Sequence, residues 1–126
     1  MTERIGIIGA MESEVATLIP ALEEHKEQTI GIVVYHVGKL NGREVVVARS
    51  GAGKVNAAMT AAEMIRTFGA KVIVNTGVAG ALEETLDPED AVIATDLVQH
   101  DYDTTPFDEL FSFTNCKPAR VGMRHL

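Results

Sequence analysis

The sequence predicts an α/β fold with a mostly parallel sheet flanked by helices, and three observations support this. Short apolar runs of strand type alternate with segments of helical periodicity. The first of these runs, residues 5 to 8, is almost continuously apolar, as in strands that are buried on both faces. Three of the predicted strands end at turns rich in small residues, namely Gly9-Ala10, Gly51-Ala52-Gly53 and Gly77-Val78-Ala79-Gly80.

The first predicted strand leads directly into a predicted helix over residues 11 to 25. Apolar side chains recur there at spacings of three and four, which is typical of one buried helix face. Pro20 lies inside this stripe and should kink or shorten the helix, since proline removes a backbone donor. The stripe consists of Met11, Val15, Leu18 and Leu22.

Two strands are predicted next, over residues 30 to 38 and 44 to 50. Asn41-Gly42 lies between them, and this dipeptide favours a tight hairpin turn with positive φ. A second helix follows the turn at Gly51 to Gly53. The side chains predicted to form its buried face are Val55, Ala58, Met59, Ala62 and Ile65.

The remaining chain contains two further predicted strands, residues 72 to 76 and 91 to 94, followed by an acidic stretch from Asp96 to Asp103. Beyond Glu109 there is no acidic residue, while Lys117, Arg120 and Arg124 are basic. No clear helix or strand period follows there. Residues 108 to 126 are therefore interpreted as a poorly specified basic tail.

Composition favours a small-molecule protein of the cytoplasm. The 126 residues suit one domain with a real core, and 46% hydrophobic with 23% charged residues is ordinary for globular proteins. A formal net charge of -7 argues against nucleic acid as a partner, because phosphate binding needs a basic surface.

The single cysteine, Cys116, excludes an intramolecular disulfide. No apolar stretch approaches a membrane span, and no signal peptide is expected.

Two carboxylates, Glu12 and Glu14, fall where the first strand gives way to a helix. That position lies at the carboxyl edge of the sheet, where open α/β sheets bind small ligands. Glu14 leans toward the apolar stripe, whereas Glu12 lies nearer the polar face. A carboxylate beside apolar groups can accept or hold a proton, which makes Glu14 the candidate catalytic residue. The alternative is that both only stabilise the helix through its dipole.

Other kinds of site are weakly supported. The glycines at 51 and 53 would need a third at position 56 for a dinucleotide-binding motif, and Asn56 occupies it. Lys54 does not complete a phosphate loop. His100, Asp101 and Asp103 match no strong metal pattern, so no metal site is predicted. Three further histidines, His25, His36 and His125, are interpreted as isolated side chains that are solvated or packed. Cys116 has no base near it in the sequence, so a role as nucleophile is unsupported.

Four motifs in the right order resemble the 5′-methylthioadenosine/S-adenosylhomocysteine nucleosidase family. They are Gly6-Ile-Ile-Gly-Ala-Met-Glu-x-Glu-Val15, Ser50-Gly-Ala-Gly-Lys-Val-Asn-Ala-Ala58, Asn75-Thr-Gly-Val-Ala-Gly80 and His100-Asp-x-Asp103. The resemblance covers residues 4 to 107. It implies a phosphorylase/hydrolase-like α/β fold and hydrolysis of an N-glycosidic bond, which releases adenine and a thioribose.

The same resemblance implies roles for individual residues. Glu14 matches the glutamate that deprotonates the attacking water at the anomeric carbon. The residues that match substrate-binding positions around the ribose and the base are Met11, Ala52, Val78, Ala79, Gly80 and Phe107. No cofactor is implied, and the expected partners are an adenine nucleoside and a second copy of the chain in a homodimer.

Members of that family continue well beyond this length, so residues 1 to 107 are expected to be the N-terminal part of a nucleosidase domain, truncated after about half. The rest of such a domain carries the aspartate that protonates adenine and a methionine-glutamate pair that grips the ribose hydroxyls. Val78 also stands where a serine is common. Two alternatives therefore stay open: a non-catalytic remnant that binds adenine nucleosides weakly, and a relative of the purine nucleoside phosphorylases.

Overall fold

The computed structural model describes residues 3–88, 90–94 and 123–125. The chain divides into two compact units, residues 1–79 and 80–126, which are described separately. No helix within the described residues has the length and the apolar character needed to cross a membrane.

The first unit contains a five-stranded sheet with helical segments on both faces. Its strand order is β2-β3-β4-β1-β5, with β1 parallel to both of its neighbours and β2, β3 and β4 joined as antiparallel pairs. The α/β fold class is thus confirmed, with a mixed sheet whose parallel part is β4-β1-β5. The strands are β1 Arg4–Gly9, β2 Glu23–Ile30, β3 Val33–Leu40, β4 Arg43–Arg49 and β5 Ala70–Thr76.

The core lies on both faces of this sheet. One face packs against helix α2, Lys54–Arg66, and buries the ring of Tyr35, which stacks on Phe68 with ring centroids 4.9 Å apart. The other face packs against helix α1, Glu12–Val15, and the 3₁₀ turn Ile19–Ala21. Its buried members are Val15, Leu22, Val45 and Val47.

The predicted helix over residues 11 to 25 is wrong in its second half. Regular helix ends at Val15, the segment around Pro20 forms only a 3₁₀ turn, and residues from Glu23 onward form strand β2. Proline explains the early end, because it cannot donate the backbone hydrogen bond that a helix needs. The strand was missed because β2 is an edge strand whose side chains are almost all exposed, so it has no apolar run.

The hairpin between β3 and β4 is confirmed. Asn41 and Gly42 have φ angles of 49° and 75°, and Leu40 lies opposite Arg43 across the turn. Two consecutive positive φ values define the turn that matches the natural twist of two antiparallel strands. The strand predicted from residue 30 begins at Val33, because Ile30 ends β2 and Gly31 lies in the turn before β3.

The predicted buried face of α2 is wrong. Val55, Met59 and Ile65 are 72%, 68% and 52% exposed, whereas Met64 and Thr60 are buried. The helix approaches β1 so closely that a Cβ on Gly6 would lie 2.8 Å from the sulfur of Met64. Such a close approach favours small residues at the contact, and the half-buried Ala57 and Ala61 lie on this face.

The second unit contains one described pair of strands. Strand β6, Val92–Ala94, pairs antiparallel with β7, Met123–His125. The predicted strand over residues 91 to 94 is thereby confirmed. Most of the predicted tail over residues 108 to 126 lies outside the described residues, so its boundary at residue 107 stays a prediction.

Candidate active site

The carboxyl ends of the three adjacent strands β4, β1 and β5 meet at one edge of the sheet. Their parallel arrangement brings the turns after Gly9 and after Arg49 together, and the Ser50 amide donates to the Gly9 carbonyl at 2.9 Å. Gly77 follows Thr76, which lies beside Gly9 in the strand register. The turns after Gly9 and Arg49 and the beginning of the turn at Gly77 therefore lie side by side, as parallel topology requires.

The Glu14 side chain is directed into this edge of the sheet. Its Oε2 atom accepts hydrogen bonds from the Ala10 amide at 2.6 Å and the Met11 amide at 2.9 Å. Its Oε1 atom lies against the backbone of Gly77, where an added Cβ would stand only 2.8 Å away. A Cβ on Gly9 would meet the Cβ of Glu14 at 3.0 Å. Glycine at these two positions is what allows the carboxylate to lie there.

The local sequence explains this placement. Met11 is the N-cap of α1 and Glu14 is the third residue of the helix, so its carboxylate reaches back to the N-cap amide. That contact also stabilises the helix end, which is the purely structural role. The structural role uses Oε2, which accepts both amide hydrogen bonds. Among the described residues no donor hydrogen-bonds to Oε1, so this second oxygen is available for the predicted catalytic role.

Glu12 has a different environment, although it is only two residues away. Its Oε2 atom pairs with the Arg49 guanidinium at 3.3 Å, and both side chains are more than half exposed. The sequence interpretation assigned Glu12 to the polar face and Glu14 to the apolar one. The contacts agree with that assignment, since Glu14 is half-buried beside the buried Val15.

The turn after β4 is held by two side chains that sequence reasoning missed. The buried Ser50 hydroxyl donates to the Gly51 carbonyl at 2.9 Å, and the Asn56 amide donates to the Ala52 carbonyl at 2.7 Å. A small polar residue directly after strand β4 was the available signal for Ser50. The signal for Asn56 was its position four residues after Ala52, because one helical turn brings its side chain back to the Ala52 carbonyl.

Met11 and Ala52, two of the predicted substrate-binding residues, line one cleft. The cleft has a volume of about 420 Å³ and lies between the β1–α1 turn, the end of β4 and the start of β3. Glu14 does not line this cleft; its carboxylate lies on the neighbouring β1–β5 side of the same sheet edge. The other lining residues are Ala10, Glu12, Ile32, Val33, Arg49, Ser50 and Gly51.

The remaining predicted site residues make few contacts or lie outside the described residues. Val78 is 87% exposed and Ala79 is exposed, directly after Gly77. Gly80 begins the second compact unit, and a Cβ there would meet no atom within 4 Å. Phe107 and the motif from His100 to Asp103 lie outside the described residues.

Two histidines interpreted as isolated are in fact neighbours. The His25 and His36 rings lie with their centroids 5.1 Å apart, and Glu27 is within 4 Å of both. Partial burial lowers the pKa of His36 below its ordinary value, although the negative charge of Glu27 opposes this shift. The interpretation was wrong because these residues are separated by a turn that the sequence did not reveal.

A sequence profile of the phosphorylase superfamily matches residues 4–124. The chain is also similar to curated 5′-methylthioadenosine/S-adenosylhomocysteine nucleosidases. It is 50% identical over 103 residues to that of Staphylococcus haemolyticus, covering 82% of this chain and 45% of the relative. It is 42% identical over 117 residues to that of a Geobacillus species, covering 93% of this chain and 50% of the relative.

The chain is also similar to solved structures of nucleosidases of the same name. A nucleosidase of this name from Colwellia psychrerythraea, in complex with adenine, superposes with a TM-score of 0.81 at 39% identity, covering 85% of this chain and 44% of that one. The Neisseria meningitidis nucleosidase in complex with methylthio-immucillin-A superposes with a TM-score of 0.78 at 40% identity, covering 83% and 46%. The chain thus spans about half the length of the relatives it matches.

Proposed function

The chain belongs to the phosphorylase superfamily, and we propose that its site hydrolyses the N-glycosidic bond of 5′-methylthioadenosine and S-adenosylhomocysteine, with Glu14 activating the water. The observation that carries this proposal is the Glu14 carboxylate, held between Gly9 and Gly77 at the carboxyl edge of the sheet. The names of the similar nucleosidases support the substrate class. The products would be adenine and a thioribose, and we propose a role in methionine salvage on that basis.

The geometry of Glu14 suits a general base. Two backbone amides fix Oε2, so the carboxylate cannot rotate freely, and Oε1 remains able to accept a proton from water. Cleavage of the glycosidic bond passes through an oxocarbenium-like transition state, in which the bonding electrons leave with adenine and adenine takes up a proton from solvent. The attacking water gives one proton to Glu14 as its oxygen bonds to the anomeric carbon. Holding the base in position before the substrate arrives reduces the entropic part of the barrier.

We assign the substrate contacts from the resemblance and from the cleft. Met11 and Ala52 line the cleft at the sheet edge and are proposed to contact the ribose and thioribose side. The bound adenine and methylthio-immucillin-A in the similar structures support a nucleoside as the ligand. The residues proposed for the base and the remaining sugar contacts are Val78, Ala79 and Gly80, and Phe107 is proposed to reach the pocket of a neighbouring subunit.

Phosphorolysis is the rival reaction in this superfamily. It requires a site for inorganic phosphate, and Arg49 is the basic side chain that lines the cleft in the described part of the chain. Arg49 already pairs with Glu12, whose carboxylate would compete with phosphate for the guanidinium. Water is therefore the favoured nucleophile.

The test is adenine release from 5′-methylthioadenosine by the purified chain in phosphate-free buffer. Release without phosphate supports the nucleosidase proposal. Release that depends on added phosphate would replace it with a phosphorylase, the second of the alternatives. Binding of the nucleoside in calorimetry without any release would identify a non-catalytic remnant instead.

Gly77→Ala is expected to lower adenine release by about 10- to 100-fold while leaving stability almost unchanged. The new Cβ would lie 2.8 Å from Oε1 of Glu14, so the carboxylate must shift, and small misplacements of a catalytic group are costly. The displaced carboxylate lies at the sheet edge, so only its hydrogen bonds to the helix end weaken and the core stays intact. Rates and thermal midpoints of the variant and the parent chain measure both effects, and a normal rate would contradict the assigned position of Glu14.

We also propose that the protein is a cytoplasmic homodimer, as the family resemblance implies. Helix α2 supports self-association, because its exposed face carries Val55, Met59 and Ile65 in one apolar stripe. Sedimentation velocity over a range of concentrations tests this. A purely monomeric chain at the highest soluble concentration would contradict the dimer.

A further inference from the structure

A cluster of two histidines and one glutamate lies on the hairpin of β2 and β3, and the reaction proposed above uses none of these residues. Glu27 is directly opposite His36 in the antiparallel register, so their side chains project from the same face of the sheet. His25 precedes Glu27 by two residues on the same strand and therefore also projects from that face. The strand is irregular between Glu23 and Lys26, and Glu24 has a φ of 53°.

The three side chains direct their polar atoms toward one another. His25 Nε2 lies 3.0 Å from His36 Nδ1, and Glu27 Oε1 lies 3.4 Å from His36 Nδ1 and 3.8 Å from His25 Nε2. Only one proton can lie between the two facing ring nitrogens, so one of the rings must be an acceptor there. A cation that replaces this proton could bind both nitrogens and the carboxylate oxygen together.

These separations suit a small transition-metal ion. With metal–ligand bonds of about 2.0–2.1 Å, tetrahedral ligands are about 3.3–3.4 Å apart, which lies within the observed range. Two imidazoles with one carboxylate favour zinc and its neighbours over magnesium or calcium, which prefer oxygen ligands. One ligand atom from each of the three side chains lies within 4.8 Å of the other two, and among the described residues this is the group of histidine and acidic side chains that does so.

We propose that His25, Glu27 and His36 form a binding site for one divalent transition-metal ion such as Zn²⁺. The ion would be held by His25 Nε2, His36 Nδ1 and a Glu27 carboxylate oxygen, and solvent would complete the coordination. It would join the exposed edge strand β2 to β3 and so stabilise the hairpin. Glu12 is the further charged group whose field acts on His36, and it is already paired with Arg49.

The test is titration of the whole, metal-free chain with Zn²⁺ by calorimetry, together with histidine ring signals in NMR spectra. We expect binding of one ion with an affinity in the micromolar range, and shifts of the His25 and His36 ring signals. His25→Gln, Glu27→Gln and His36→Gln should each weaken binding by about tenfold or more. His25 and Glu27 are exposed, so these two variants should fold even if the half-buried His36 does not tolerate replacement.

Glu24→Gln is the matched control, since it removes a carboxylate from the same strand. Glu24 instead pairs with Lys39 at 2.7 Å, and its replacement should leave Zn²⁺ binding within twofold of the parent chain. Binding that persists unchanged in His25→Gln and Glu27→Gln would place the ion elsewhere and overturn the proposal. An absence of Zn²⁺ binding at millimolar concentration would overturn it as well.

Discussion

Glu14→Gln is expected to reduce adenine release from 5′-methylthioadenosine by about 10³-fold, within the range that general bases contribute. The amide oxygen of glutamine can still accept the hydrogen bonds from Ala10 and Met11, so the helix end and the fold should persist. A neutral amide cannot take a proton from water, which removes the chemical step. Steady-state kinetics, with circular dichroism as the test of folding, measure the two effects separately.

Glu12→Gln is the matched control for this experiment. It removes a carboxylate from the same helical turn, but that carboxylate is exposed and paired with Arg49. Because Glu12 lines the cleft, the comparison is made on kcat and not on KM. The kcat of this variant should stay within about threefold of the parent chain, since a surface ion pair contributes little. Equal losses in both variants would assign the effect to the helix end, and an unchanged rate in Glu14→Gln would refute the role of Glu14 as the base.

Met64→Ala is expected to lower the free energy of unfolding by about 3 kcal/mol, as for other large-to-small substitutions in a core. Met64 is fully buried where α2 meets β1, and its sulfur lies over Gly6. Truncation leaves a cavity between helix and sheet that the rigid β1 strand cannot fill. Urea unfolding followed by circular dichroism measures the change, and the loss should be nearly absent if the helix packs through its other face.

Met59→Ala makes the same chemical change on the opposite side of α2. Met59 is 68% exposed, so its truncation should alter the free energy of unfolding by less than about 0.5 kcal/mol. The comparison is made at concentrations where sedimentation shows a monomer, because the proposed dimer would cover this stripe. A larger loss for Met59→Ala than for Met64→Ala would contradict the observed orientation of the helix.

Helix α2 shows why periodicity alone was insufficient. Its sequence carries apolar or small residues on two faces, and the larger ones, Val55, Met59 and Ile65, dominated the prediction. The face that meets the sheet is instead the one with small residues around Met64, because the helix lies close to Gly6. Side-chain size matters at that contact, and the sequence does not state the distance between helix and sheet.

Strand β2 and the histidine cluster illustrate a second limit. An exposed edge strand such as Glu23–Ile30 has no apolar pattern, since its hydrogen bonds to β3 hold it in place. Once that strand was missed, His25, Glu27 and His36 could not be recognised as neighbours. The cluster depends on cross-strand register, which is a property of pairing between segments.

Short-range pattern and turn chemistry were enough to predict the α/β class and the hairpin at Asn41-Gly42, and the structure confirms both. They also singled out Glu14 as the candidate base, which stays a prediction. Packing between distant segments sets which face of α2 is buried and places Gly77 against the Glu14 carboxylate. It also brought the two histidines together. The physical reason is that these features arise from distances between segments far apart in the chain, which packing and strand register set.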